Sequence, residues 1–241
     1  MELTFSDNKL FTTIFDNIKQ YSDTFKLEIN EEGLHIQSID TANICILDFK
    51  IHKNYFNSFR TDKLYILDFD INDITKIFKV INKTNLILFT LQDDTILKII
   101  SESSENNIKK IFKINSISTN SEFLNLDILV INNDFRTESK QLLTIFTDLF
   151  MFSDDITLLI DSFGFQFIVN NDNIKSKYCI DSIKHNSEIN TSFSLKYLSK
   201  FKLLSLFETT NIKLDNNTPI LFNLNDDNIN INFILSPKIN I

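Results

Sequence analysis

Three histidines, two cysteines and three pairs of adjacent aspartates are the side chains in this 241-residue chain that could carry metal, nucleophilic or acid–base chemistry. His35, His52 and His185 are scattered and match no metal-ligand spacing, and Cys45 and Cys179 stand far apart in sequence. Both cysteines lie in apolar, strand-like contexts and read as buried thiols of a reducing compartment. Asp93-Asp94, Asp154-Asp155 and Asp226-Asp227 look like turn residues, and a two-metal carboxylate site would have to be assembled from all three. With 2 glycines in the whole chain there is little to build a phosphate-binding loop from, and no Ser or Cys nucleophile sits in a recognisable motif. The expectation is a protein that is not an enzyme and that uses no metal or cofactor.

Charge points to a second kind of work. The formal net charge is −8, so the average field of the surface repels polyanions. If this protein handles nucleic acid, its lysines must be gathered on one face, or the contact must be enforced topologically. Hydrophobic residues make up 43% of the chain and Phe alone contributes 24, which argues against disorder. The length suits one large domain or two of about 110 to 120 residues. No apolar run approaches a membrane span and no signal peptide is expected. The sequons at Asn82, Asn190 and Asn216 read as chance in an Asn-rich chain.

The elements that must position these lysines follow from periodicity. Residues 8–21 carry Leu10, Ile14 and Ile18 at spacing four, with Phe11 and Phe15 alongside, and predict an amphipathic helix capped by Ser6 or Asp7. Its other face carries Lys9, Thr12, Asp16 and Lys19. Alternating runs predict strands over 24–30, 34–39, 44–51 and 64–69. Between the second and third of these, apolar Ile39 sits in the polar corner Ser38-Ile39-Asp40-Thr41, and Gly33 marks a backbone position that another residue would strain. A second helix spans 71–81 with Asp70 as its cap, and Lys76, Lys79 and Lys83 lie off its apolar stripe or at its end. Strands follow over 85–91, 95–100 and 110–116. Residues 118–134 have no clean helical face and read as a connector that lies on the surface; an ordinary edge strand is the other reading. The pattern then restarts with a helix over 138–151 burying Leu142, Ile145, Phe146, Leu149 and Phe150. Strands at 156–160 and 165–169, a helix over 195–204, and strands at 211–214, 219–224 and 230–235 complete the chain. Gly164 follows Gly33 at an offset of 131 residues, and Phe193-Ser194-Leu195 echoes Phe69-Asp70-Ile71. Internal duplication is the economical account.

Several strings, in order, carry a resemblance: Gly33-Leu34-His35-Ile36-Gln37-Ser38-Ile39-Asp40 with Ile44, Ile74-Thr75-Lys76-Ile77-Phe78-Lys79, Leu195-Lys196-Tyr197-Leu198, Pro219-Ile220-Leu221, and Leu235-Ser236-Pro237-Lys238-Ile239. Together they resemble the proliferating cell nuclear antigen family of DNA sliding clamps. The resemblance runs from Leu3 nearly to the end and is weakest over 101–121 and 172–190. It implies an α+β DNA clamp (processivity) fold: two similar domains, 1–117 and 135–241, each with two helices packed on antiparallel sheets, joined by an interdomain connector over 118–134. It further implies three subunits closing a ring around double-stranded DNA, with helices lining the hole. Such a ring needs only weak phosphate contacts, because topology retains it while it slides.

The resemblance assigns three surfaces. Lys9, Lys19, Lys76, Lys79, Lys140, Lys196, Lys200 and Lys202 would face DNA, although singly each reads equally well as a solubilising group. The third helix, with Thr144, Thr147 and Asp148, is poorer in basic residues than family members usually are. Ile39, Ile44, Ile46, Leu124, Leu126, Pro219, Ile234, Leu235 and Pro237 would form a pocket for short hydrophobic docking peptides, with Ile39 and Leu126 exposed and backbone bonds to the C-terminal segment orienting the peptide. Ordinary core packing is the other reading of the strand residues. Asn125 and Asp127 replace the glycine and proline usual in the family's connector. Phe112, Ile114, Tyr178 and Ile180 would join subunits where a strand near 111–117 pairs antiparallel with one near 174–180 of the next. The partners implied are DNA, DNA polymerase and other replication or repair proteins, an ATP-driven clamp loader, and the chain itself as a homotrimer, with no membrane. The place of work is the nucleus or, for a viral chain, the site of viral DNA replication. A monomeric clamp-fold processivity subunit, a clamp-like viral late transcription factor, and a scaffold without a nucleic-acid role are the rival readings.

Overall fold

A computed structural model describes residues 1–6, 8–81, 85–103, 108–118 and 122–238, with Asp127 described through its backbone alone. Asp7, the Asn82-Lys83-Thr84 sequon with its lysine, and Ile239 lie outside the described residues. The chain divides into two compact units. The first comprises Met1–Asn43, Leu47–Leu124 and Asp226–Ile231; the second comprises Ile44–Ile46, Asn125–Asn225 and Asn232–Ile241.

The first unit opens with β1 (Glu2–Phe5) and α1 (Lys9–Ile18), followed by β2 (Thr24–Asn30), β3 (Gly33–Ile39), β4 (Cys45–His52), β5 (Ser58–Arg60) and β6 (Tyr65–Asp70). It continues through α2 (Ile71–Val80), β7 (Leu86–Gln92), β8 (Ile96–Ser103) and β9 (Ile108–Asn115). One five-stranded sheet runs β5-β1-β7-β8-β9, and β4, β3, β2 and β6 lie side by side in a second. Helices α1 and α2 pack on each other. Phe5, Phe11, Phe15, Phe78 and Phe89 interlock beneath them, with Phe5 and Phe11 ring centroids 4.4 Å apart. Aromatic rings supply large buried area at little conformational cost, which is how a glycine-poor chain fills its core.

The second unit contains β10 (Asp134–Glu138), α3 (Ser139–Phe150), β11 (Asp155–Ile160), β12 (Phe165–Asn170), β13 (Lys175–Ile180), β14 (Ile189–Ser194), α4 (Leu195–Leu198), β15 (Thr209–Lys213) and β16 (Ile220–Asn225). The last strand, β17 (Ile229–Leu235), is divided between the units. A four-stranded sheet runs β13-β12-β11-β14, and β10, β15, β16 and β17 adjoin in that order. Phe146, Phe201, Phe222 and Phe233 form the second aromatic core.

The two units repeat one another in detail. Gly33 has φ +154° and Gly164 φ +148°, and a Cβ on either would press on the adjacent strand of its own sheet, β4 or β13: 2.1 Å from the Ile51 carbonyl oxygen, and 3.1 Å from that of Ile180. The preceding turns match. Asn30 Oδ1 accepts from the Glu32 and Gly33 amides, and Asp161 Oδ1 accepts from those of Phe163 and Gly164. The short helices are seated alike, with the Ile71 amide donating to the Asp23 carbonyl and the Leu195 amide to that of Asp154.

Several expectations need correction. The first helix begins at Lys9 with Asn8 as its N-cap residue, so Ser6 is not the cap. Phe150 is 39% exposed, because α3 ends there and its last residue turns out of the stripe. The helix expected over 195–204 stops at Leu198 and resumes as a 3-10 turn at Lys202–Leu206. Leu195, Leu198, Phe201, Leu203 and Leu204 are all fully buried. Those positions surround a 3.6-residue helix rather than striping it, so the chain turns to bury them all. Cys179 is exposed on edge strand β13, while Cys45 is buried. Strands β1, β5, β10 and β14 were not foreseen; β10 buries just Phe135 and Thr137, too little apolar alternation to recognise. Among the described residues no helix is long and apolar enough to cross a membrane.

Candidate functional site

In the first unit, burial of Leu10, Phe11, Ile14, Phe15 and Ile18 turns Lys9, Asp16 and Lys19 to solvent, and burial of Ile71, Ile74 and Phe78 turns out Asp73, Lys76 and Lys79. Asp70 Oδ1 accepts from the Asn72 amide at 2.7 Å and starts α2 at the register that exposes both its lysines. Lys76 approaches Asp73 at 3.4 Å, an exposed pair that holds its ammonium weakly. In the second unit Lys140 is exposed on α3 and Lys196 on α4. Lys200 is half-buried in the turn after α4, and Lys202 is exposed on the 3-10 segment, so these two do not belong to one long helix as expected.

The connector is tied down at each end by a side chain that imitates a neighbouring strand. Gln37, buried on β3, donates from Nε2 to the Leu124 carbonyl at 3.1 Å and accepts the Leu124 amide on Oε1 at 2.7 Å. The same Nε2 donates to Asp48 Oδ1 at 3.0 Å, and His35 Nε2 lies 2.5 Å from that oxygen. The Phe123 ring rests on His35 with centroids 4.6 Å apart and takes the Lys26 ammonium at 5.8 Å from its centroid; Lys26 in turn pairs with Asp68 at 2.8 Å. Burial drives the Asp48 carboxyl upward, but the hydrogen bonds and charge of His35, with Gln37 and Lys50, outweigh it and hold the pKa below the usual carboxylate value. At the far end, in the second unit, Asp215 accepts from the backbone amides of Asn132 and Asn133 at 2.8 and 3.3 Å. Partial burial opposes ionisation of Asp215, and those amides with the two Asn side chains overcome it, so its pKa is also lowered. Neither Gln37 nor Asp215 was singled out from sequence.

The residues assigned to a docking pocket separate by burial. In the first unit Ile39 closes β3 half-buried, and Leu124 is 45% exposed. In the second, Ile44, Ile46, Leu126, Pro219 and Pro237 are half-buried, but Ile234 and Leu235 are buried and cannot act as surface anchors. Leu235 alternates with Phe233 and Ile231 into the core, which the strand period requires. Ile39 and Leu126 are therefore less open than expected. The most open aliphatic side chains of the connector are Ile128 and Val130, at 80% and 74% exposure; their alternation in a polar stretch was the available signal. The C-terminal segment has also committed its donors: Ser236 N–H donates to Ile44 and Lys238 N–H to Ser192, while Pro237 has none. Residues 236–238 can thus offer a peptide carbonyl oxygens but no backbone N–H.

Strands β9 and β13 are both edges of their sheets. Phe112 is half-buried on β9, and Tyr178 is 37% exposed on β13, with its hydroxyl donating to Asp148 at 3.2 Å. Ile114 and Ile180 are buried within their own sheets, so they support the edges without projecting from them. Among the described residues no group of three or more His, Cys, Asp or Glu could hold a metal ion.

The chain is similar to known proteins in sequence and in fold. The family model for the N-terminal domain of proliferating cell nuclear antigen matches residues 1–123. The chain is similar to proliferating cell nuclear antigen of Saccharomyces cerevisiae, 22% identical over 255 residues covering 100% of this chain and 98% of the relative. It is similar to proliferating cell nuclear antigen 1 of Plasmodium falciparum, at 24% identity with 99% and 96% covered. A DNA polymerase sliding clamp of Methanoregula boonei is 24% identical with 97% and 96% covered. In fold the chain is similar to a crystal structure of the PCNA2–PCNA3 complex from Sulfolobus tokodaii, with a TM-score of 0.87, 18% identity and 99% of each chain covered.

Proposed function

The chain belongs to the proliferating cell nuclear antigen family, and from that we propose that it is a DNA sliding clamp, a ring around duplex DNA that tethers DNA polymerase and other replication and repair proteins. It works without chemistry of its own. The observation that carries this reading is the segregation of charge: α1, α2, α3 and α4 turn lysines away from apolar faces in a molecule of net charge −8. A sparse set of ammonium groups suits a sliding contact, because every added phosphate contact strengthens adhesion and slows movement.

The ring is a homotrimer closed head to tail, β9 of one copy continuing the sheet that ends at β13 of the next. Two unpaired edges of different sequence support it, since heterologous edges give a ring when the rotation closes. Docking peptides with apolar anchors use the half-buried Ile44, Ile46, Leu126, Pro219 and Pro237 of the second unit, with the open Ile128 and Val130 as further candidate anchors. An ATP-driven loader opens the ring, and the nucleus, or the site of viral DNA replication for a viral chain, is where it acts.

Threading separates a clamp from an adhesive binder. The protein is incubated with linear duplex whose free ends are then blocked by streptavidin, or with duplex blocked beforehand, each is washed with salt, and the native mass is recorded. Three times 28.2 kDa with retention confined to duplex that had a free end before blocking is the expected result. A monomer that binds free and blocked duplex equally overturns the reading.

A further inference from the structure

We propose that the junction between two copies of this chain is opposed by like charges along one face, so that self-assembly tightens as salt rises. The proposal rests on the head-to-tail pairing of β9 with β13 given above.

Ladder partners sort each edge strand into two faces. On β9, Lys110, Phe112 and Ile114 share a face with buried Ser101, Ile99 and Leu97, whereas Lys109, Ile111 and Lys113 lie on the other. On β13, Ser176, Tyr178 and Ile180 follow buried Val169, Phe167 and Phe165, whereas Lys175, Lys177 and Cys179 lie opposite. An antiparallel junction that keeps core face beside core face must therefore set odd-numbered residues of β9 against odd-numbered residues of β13.

With Asn115 closing the outer face of β9, four registers give at least two outer-face pairs. The central one sets Lys109 against Cys179, Ile111 against Lys177 and Lys113 against Lys175. A two-residue slip one way sets Lys109 against Lys177; a slip the other way sets Lys113 against Lys177. A further slip sets Lys113 against Cys179 and Asn115 against Lys177, so a lysine meets a lysine in three of the four. Local counter-charge is thin. Lys109 is paired with Glu102 at 2.6 Å, but Lys113 already stands opposite Lys98 in the β8–β9 ladder, and Lys177 reaches an uncharged partner, Gln166 Oε1 at 3.4 Å. On the β13 side the carboxylates include Asp181, beyond the strand end, Asp161, which takes the Gln166 amide at 3.1 Å, and Asp148, which takes the Tyr178 hydroxyl; none of these is within ion-pair distance of Lys175 or Lys177.

On the core-side face Phe112 stands opposite Tyr178 in the register that sets Lys113 against Lys177 and diagonal to it, opposite Ser176, in the central one, so apolar contact and backbone hydrogen bonds hold the junction while the lysines oppose it. Like charges directly opposite one another weaken an antiparallel pair, and salt screens exposed charges within a Debye length of about 8 Å at 0.15 M. A junction of ordinary ion pairs has the opposite salt dependence.

The test is sedimentation of the full chain between 50 and 300 mM NaCl beside the double variant Lys113→Gln/Lys177→Gln, which removes the opposed pair in each of those three registers; both lysines are exposed. The wild-type association constant is expected to rise with salt by roughly two- to fivefold per junction, and the variant to assemble more tightly at 50 mM with a flatter response. Wild-type assembly that loosens with salt, or a folded variant no tighter than wild type at 50 mM, overturns the proposal and leaves the ring intact. Monomers in both proteins at every salt concentration overturn the pairing on which it rests. If the variant fails to fold, the wild-type salt series alone decides, since its sign is already opposite under the two accounts.

Discussion

Gly33 and Asp48 show how much one residue can decide. A Cβ at Gly33 would sit 2.1 Å from a backbone oxygen that cannot retreat without breaking β4, and φ +154° is itself strained for any other residue. Gly33→Ala should destabilise the protein by about 3 kcal/mol or more in denaturant melts. Gly164→Ala should cost less, since the nearest atom there is a side-chain sulfur at 2.9 Å. Asp48 is a carboxylate whose folded pKa is depressed, so its contribution is present above the unfolded value of 3.8 and is lost as pH falls through the lower folded value. Stability should therefore decline below about pH 4. Asp48→Asn should lower stability near neutrality and flatten that acid limb in melts at stepped pH. Replacing Gln37 with Leu removes both hydrogen bonds to Leu124. We expect a loss of about 1–2 kcal/mol and faster amide exchange at Leu124, read by hydrogen exchange.

Among the elements, the helices carry the functional claim, and α2 carries it most directly. Its apolar stripe fixes rotation about the helix axis, and the Asp70 cap fixes where the first turn begins, so Lys76 and Lys79 are outward by construction. Lys76→Glu with Lys79→Glu leaves that stripe untouched. It should change stability by less than about 0.5 kcal/mol while sharply reducing adhesion to blocked duplex, measured by melting and by filter binding. This stripe was legible because one residue type recurs on one face over three turns. The region after Leu195 was not, since Leu203 and Leu204 are buried by neighbours distant in sequence, and burial overrides local period. The connector was legible as a connector from its lack of period, but its anchors Gln37 and Asp215 were not. A buried amide and a turn carboxylate gain their partners from residues 87 and 83 positions away.

At the scale of the molecule, a net charge of −8 and a small set of helix lysines predict weak adhesion and strong retention by topology. Before threading, affinity for blocked duplex should fall steeply with salt, with a log–log slope of about −0.9 for each lysine in contact. Threaded complexes should persist at salt concentrations that abolish that adhesion, because leaving requires a free end or an opened junction. A filter-binding salt series on duplex blocked before incubation and on duplex blocked after it measures both quantities.

Composition and period by themselves determined that this chain has glycine at two strained hairpins, amphipathic helices with outward lysines, a repeated order of elements and no recognisable catalytic motif. These are local properties, set by side-chain spacing along a few turns or strands. Only the tertiary structure decided that Ile114, Ile180, Ile234 and Leu235 turn inward, that Cys179 turns outward, and that Gln37 holds Leu124. An apolar residue on a strand has two faces to choose between, and the choice belongs to whatever packs on the sheet, which the strand's own sequence does not contain.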